Sequence, residues 1–105
     1  MQITNKTVDT AIKRHDLDAS DFDNFYKGLD NSSRARVFSL GRNLIVKELD
    51  SFLKTLPQGA KILDVGCGTG HLTNEIKQKG FDVYGIEPSS EMLQIAKKNF
   101  PSIPL

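Results

Sequence analysis

Between Ser32 and Leu56 the apolar residues Val37, Leu40, Leu44, Ile45, Leu49, Phe52, Leu53 and Leu56 recur at intervals of three and four, the period of an amphipathic helix. The spacing predicts one long helix there. Ser32 or Ser33 can accept from the free N–H groups of its first turn, Pro57 biases Leu56 away from helical geometry, and Gly41 is a weak point within it. Two shorter helices are predicted ahead of it, one over Thr7 to Arg14 and one over Asp21 to Lys27 with Ser20 as cap and Gly28 as stop. After Pro57-Gln58-Gly59 the pattern changes. Lys61 to Val65 is a short, mostly apolar run that ends in Gly66-Cys67-Gly68-Thr69-Gly70, the signature of a buried parallel strand entering a tight turn. Leu72 and Ile76 then stand four apart and Gly80 follows, predicting a helix over His71 to Lys79. Phe81 to Glu87 reads as a second strand, broken by Pro88. Ser89 caps a further helix whose Met92, Ile95, Ala96 and Asn99 share one face. That order is a βαβ unit with the next helix attached, so its strands should be parallel and its crossover right-handed.

Composition narrows the function more than the fold. Of 105 residues, 38% are hydrophobic and 26% charged, and a net charge of +1 offers no electrostatic footprint for nucleic acid. Cys67 is the only cysteine, which excludes an internal disulfide, and with His15 and His71 as the only histidines there is no cluster for a structural zinc. A reducing, cytoplasmic setting is expected. No run approaches the ~20 apolar residues of a membrane-spanning helix. Six of the eight glycines fall between residues 59 and 85, whereas all four arginines precede that window. The chain therefore divides into a helical extension over 1–57 and a strand-containing unit over 58–105.

The chemistry gathers in the second unit. Glycine at alternate positions of a loop permits positive φ and lets a ligand approach main-chain N–H groups with no Cβ in the way. Glu87 follows Gly66 by 21 residues, at the end of the neighbouring strand, so the loop and the carboxylate face one crevice. A carboxylate there can accept both hydroxyls of a ribose, which predicts an adenosine-containing cofactor. A dinucleotide fingerprint has the spacing G-x-G-x-x-G, yet the third glycine position is His71 here and the glycine comes one residue early, at Gly70. Asp64, two residues before Gly66, would repel a pyrophosphate and attract a sulfonium and an ammonium. S-adenosyl-L-methionine has both cations and no phosphate.

Ile62 to Gly70, followed by Val83-Tyr84-Gly85-Ile86-Glu87-Pro88-Ser89 and by Met92 to Lys97, resembles the cofactor half of the class I, Rossmann-like S-adenosylmethionine-dependent methyltransferases. The resemblance covers about residues 60–100. It implies an α/β fold, with an N-terminal helical extension followed by an incomplete Rossmann-like parallel βαβα unit. It also implies that Gly66, Cys67, Gly68 and Gly70 wrap the methionine part of the cofactor, that Asp64 meets its ammonium, that Glu87 holds the ribose and that Met92 packs near the adenine. The helices before residue 57 resemble the variable cap of such enzymes. The third and fourth strands, which in that family carry the adenine-edge acid and the acceptor groups, have no counterpart here, so the catalytic residues are unassigned.

Other readings stay open on the same residues. An NAD(P)- or flavin-dependent oxidoreductase fragment uses the same βαβ unit, and a truncated nucleotide-binding or interaction module needs no catalysis at all. Cys67 and His71 read as passive loop residues rather than as nucleophile and base. Met92 suits either core or cofactor contact. Arg34, Arg36 and Arg42 form either a solvated face or an anchor for the cofactor carboxylate or an anionic acceptor. Phe25 and Tyr26 form either a buried stripe or a closure over the site. A small-molecule acceptor is expected, with no nucleic acid, no metal and no membrane. Two apolar strands with open edges predict an N-terminal fragment that gains sheet partners from another copy.

Overall fold

The computed structural model describes residues 5–105. Six elements follow in order: α1 (Asn5–Lys27), α2 (Ser33–Leu53), β1 (Lys61–Val65), α3 (His71–Gln78), β2 (Asp82–Ile86) and α4 (Ser90–Asn99). The strands pair in parallel, from Lys61 against Asp82 to Val65 against Ile86, as the βαβ order requires. The α/β class and the parallel pair stand as the sequence implied. Ser32 caps α2 by accepting from the Ala35 N–H, and Ser89 caps α4 by accepting from the Met92 N–H.

The amino-terminal segment departs from expectation. The two short helices are one helix of 23 residues, and Ser20 lies in its interior rather than at a cap. The run from His15 to Asp21 is rich in polar residues with low helix propensity, which is why it resembles a linker. Tertiary bonds override that propensity. Asp16 accepts from the Ser89 hydroxyl at 2.5 Å and from the Glu91 N–H, while Asp18 pairs with Arg14 one turn away. Asp23 lies on the same helix and ties it to α3 and α4. Gly28 does close the helix, with φ of 70°.

A second departure concerns which face of α2 is buried. The inward stripe is Ala35, Phe38, Arg42, Val46, Leu49, Leu53 and Leu56, again at spacings of three and four. Val37, Leu40, Leu44, Ile45 and Phe52 point outward and are each more than half exposed. The apolar stripe in the sequence is wider than the neighbours that α2 meets. Its C-terminal half packs on the sheet, where Leu53, Ile76 and Val83 form the core with Leu49, Leu56, Ile62, Leu72 and Phe81 around them. Its N-terminal half meets α1 through rings: Phe38 lies 5.1–5.7 Å from Phe22, Phe25 and Tyr26.

The sheet has one covered face. Val83 and Gly85 are buried, whereas Leu63, Val65, Tyr84 and Ile86, which alternate with them, are exposed. The outer edge of β2 is met by the chain itself at one position, where the Gly85 N–H donates to the Pro104 carbonyl at 3.0 Å. Among the described residues no helix is long and apolar enough to cross a membrane.

Gly41 gives a direct test of the α2 geometry. It lies within the helix, and a Cβ built on it meets no atom within 4 Å. Gly41→Ala should therefore stabilise the protein by ~1 kcal/mol, through helix propensity alone. A shift of the urea midpoint to higher concentration at unchanged slope is the expected reading.

Candidate functional site

The glycine loop leaves β1 by bonding to the end of β2: the Gly66 and Cys67 N–H groups both donate to the Ile86 carbonyl, at 2.8 and 3.1 Å. Gly66, Gly68 and Gly70 all have positive φ, of 77°, 57° and 85°, a region that residues with a Cβ rarely adopt. Close packing adds to this at Gly85. A Cβ there would lie 2.9 Å from Cys67 Sγ and 2.7 Å from Leu105 Cδ2, so only a glycine on β2 lets the loop settle onto the strand.

Glu87 locks the loop to the start of α4. One carboxylate oxygen accepts from the Gly68 N–H at 3.1 Å and the other from the Ser89 N–H at 2.8 Å. A carboxylate has about four lone-pair positions, so two remain for a ligand. Asp64, at the end of β1, accepts from the Thr73 hydroxyl of α3 at 2.7 Å. Thr73 is fully buried, which makes this a tie between strand and helix beneath the loop.

Gly66, Cys67, Gly68, Thr69, Glu87 and Met92 form one wall of a cleft of about 190 Å³, and His15, Phe22, Tyr26 and Phe38 form the other. Met92 is buried, its sulfur 3.6 Å from where a Gly68 Cβ would be. Thr69 is 2% exposed and its hydroxyl oxygen is buried with no hydrogen-bond partner among the described residues. Such a group calls for a partner, and the cleft is where one can reach it. Of the residues singled out in the sequence, Gly66, Cys67, Gly68, Glu87 and Met92 line this cleft, as does Tyr26, one of the two aromatic residues read as a closure over the site. Asp64 and Gly70 do not. Gly70 instead packs behind the loop, where its Cβ position is 3.2 Å from the Ala96 Cβ and 3.1 Å from the Phe100 ring.

The division of α1 into two helices concealed that His15 and Phe22 join Tyr26 in the opposite wall. His15, Phe22 and Tyr26 stand seven and four apart, a single face only if the helix is unbroken. Phe25 turns away into the α1–α2 contact and is buried. Tyr26 stacks on His71, with centroids 4.7 Å apart and planes within 10°, and His71 shares Asp23 with Asn99 and Lys27. Burial pushes the Tyr26 hydroxyl up from its usual pKa, against an opposing pull from Arg42. Burial, reinforced by the negative charges of Asp64 and Glu87, pushes the Cys67 thiol up to about 11. A thiol so shifted is protonated at neutral pH and is a poor nucleophile. Among the described residues no cluster of His, Cys, Asp or Glu is arranged to hold a metal ion.

Asp23 yields a prediction about pH. Burial acts to raise its carboxyl, but hydrogen bonds from Lys27, His71 and Asn99 outweigh that and hold it below its ordinary value. A carboxyl depressed on folding stabilises the native state above its unfolded pKa, and that stabilisation is lost as pH falls through the folded value. Asp23→Ala should cost about 2 kcal/mol at around pH 6 and markedly less near pH 2, as compared by denaturant unfolding at the two values.

The model of a methyltransferase domain family matches residues 37–103, more than half of the chain, beginning within α2 and ending past α4. An uncharacterized methyltransferase of Alkaliphilus oremlandii is 54% identical over 41 residues, 39% of this chain and 19% of the relative. The putative methyltransferase YqeM of Bacillus subtilis is 44% identical over 48 residues, 46% of this chain and 19% of the relative. An uncharacterized methyltransferase of Bacillus anthracis is 55% identical over 40 residues, 38% of this chain and again 19% of the relative. The chain thus spans about a fifth of the length of the curated relatives it matches. With a parallel strand pair, a glycine loop seated on it and a carboxylate closing the loop, the chain belongs to the methyltransferase domain family.

Proposed function

We propose that the cleft between the glycine loop and α1 binds S-adenosyl-L-methionine, and that the chain is the cofactor-binding part of a methyltransferase acting on a small molecule. The observation that carries this is the state of Glu87. Its carboxylate is fixed by two main-chain N–H groups and keeps acceptor capacity on both oxygens, as binding a ribose diol requires. The unpartnered Thr69 hydroxyl and the aromatic wall supply a further polar contact and an apolar surface. Pyrophosphate fits less well, because Glu87 already occupies the Gly68 N–H and the field of Asp64 and Glu87 is negative.

When bound, the cofactor would supply an electrophilic methyl group to the acceptor's nucleophile, with a neutral thioether as the leaving group and the acceptor's proton released to solvent. The protein's part is alignment and exclusion of water. Glu87 orients the ribose, Gly66 and Cys67 present main chain to the methionine part, and Met92 closes under the adenine. Asp64 and Gly70 support the loop from behind, with the negative charge of Asp64 favouring a cationic ligand. The helices over 1–57 act as the cap, with His15, Phe22, Tyr26 and Phe38 as its inner face. Titration calorimetry with S-adenosylhomocysteine and with NAD tests the reading. Saturable binding of the first and none of the second is expected, and the reverse result would assign the cleft to a dinucleotide.

A further inference from the structure

The outward face of α2 is left open by the described residues, and its composition is not that of a solvated face. Val37, Leu40 and Leu44 follow one another there at spacings of three and four and are 70%, 67% and 68% exposed, with Ile45 and Phe52 beside them at 60% and 58%. At those fractions the five side chains leave roughly 550 Å² of apolar surface open, toward the upper end of what a monomeric protein shows in one patch. Two charges accompany the stripe. Arg36 and Glu48 are exposed, and among the described residues neither is in an ion pair, whereas Arg34, Arg42 and Asp50 of the same helix are all paired. The helix cannot pair them itself. The positions three and four residues from Arg36 hold only serines and a leucine, and those from Glu48 hold Leu44, Ile45, Ser51 and Phe52.

We propose that this face binds a second copy of the chain, with the two α2 helices antiparallel about a two-fold axis at the level of residue 42. The stripe is self-complementary about that level. Residue 42 is midway between Arg36 and Glu48 and also midway between Leu40 and Leu44, so one register sets Arg36 of each copy opposite Glu48 of the other, and Leu40 opposite Leu44. The same register lays the stem of Lys47 over Val37. At the rise of an α-helix the two ion pairs close the ends of an apolar seam about 18 Å long. Covering the patch on both copies buries roughly 1,100 Å², and the stems of Arg36, Lys47 and Glu48 bring the total into the ~1,200–2,000 Å² of a specific interface. A lipid surface suits the stripe less, because Glu48 lies on it between Leu44 and Phe52 and would be carried into the apolar phase unpaired. The inference is independent of the cofactor reading, since Phe38, which lines the cleft, is on the inward stripe.

Sedimentation velocity of the 105-residue chain tests it. A dimer is expected at about 100 μM that dissociates on dilution to about 1 μM, and Leu44→Glu should leave only monomer at both concentrations. Leu44 is exposed, so this variant should keep the parent's unfolding midpoint at the lower concentration. The charges test the register. Arg36→Glu and Glu48→Arg each place two like-charge pairs in a homodimer and should weaken it by about tenfold, yet an equimolar mixture of the two variants restores two opposite-charge pairs and should dimerise like the parent. A parent chain that is monomeric at about 100 μM overturns the proposal, and flotation of that monomer with anionic vesicles would then assign the face to lipid. A dimer that survives Leu44→Glu also overturns it, by assigning self-association to the open strand edges. Single charge variants as dimeric as the parent, or a mixture that does not recover, would overturn the pairing of Arg36 with Glu48 and the proposal with it.

Discussion

Glu87→Ala is expected to weaken S-adenosylhomocysteine binding by about a hundredfold, because it removes two charge-assisted hydrogen bonds to the ribose at ~1.5 kcal/mol each. The same change deletes the acceptors of the Gly68 and Ser89 N–H groups, so part of the loss comes from a loosened loop. Glu87→Gln separates the two. An amide keeps one acceptor oxygen but turns an NH2 group toward one of those N–H donors, so an intermediate loss of about tenfold is expected. Calorimetry reads both variants. Affinity within about twofold of the parent in Glu87→Ala would mean that the carboxylate serves the loop and not a ligand.

Gly70→Ala is expected to cost ~3 kcal/mol of stability. Two costs combine. A φ of 85° is strained for any residue with a Cβ, by about 1–2 kcal/mol, and the added carbon would press on Ala96 and Phe100 at 3.2 and 3.1 Å. Ala96→Gly in the same chain returns space without relieving φ, so the double variant should recover only part of the loss. Denaturant unfolding of the four proteins of this cycle measures the division. Full recovery would mean that φ contributes nothing, and no recovery would mean that the contact does not.

The second unit was legible in the sequence because its signals are local. Lys61 to Val65, the alternating glycines, the change of period at Leu72 and Ile76, and the breaks at Gly80 and Pro88 each fix a few residues, and they agree with one another. The distance from Gly66 to Glu87 also carried over, because a βαβ unit brings the ends of adjacent strands together wherever the helix between them lies. The first unit was less legible because its structure is decided at long range. Asp16 and Asp23 make α1 continuous through bonds to Ser89, His71 and Asn99, residues 48–76 positions away along the chain. Propensity sees only the aspartates. The face of α2 was misjudged for a related reason: Leu40, Leu44 and Phe52 have the residue types of a core, and burial depends on neighbours that the helix does not reach. Arg42 and Tyr26 were legible as candidates on residue type, but the break in α1 concealed that His15 and Phe22 share a face with Tyr26.

The central claim is that the cleft closed by Glu87 accepts an adenosyl group, and calorimetric titration of the 105-residue chain and of its Glu87→Ala variant with S-adenosyl-L-methionine tests it most directly. The account predicts saturable binding to the parent, at least about a hundredfold loss in the variant, and no heat from NAD with either. No binding of S-adenosyl-L-methionine to the parent, or binding that Glu87→Ala leaves intact, would contradict it.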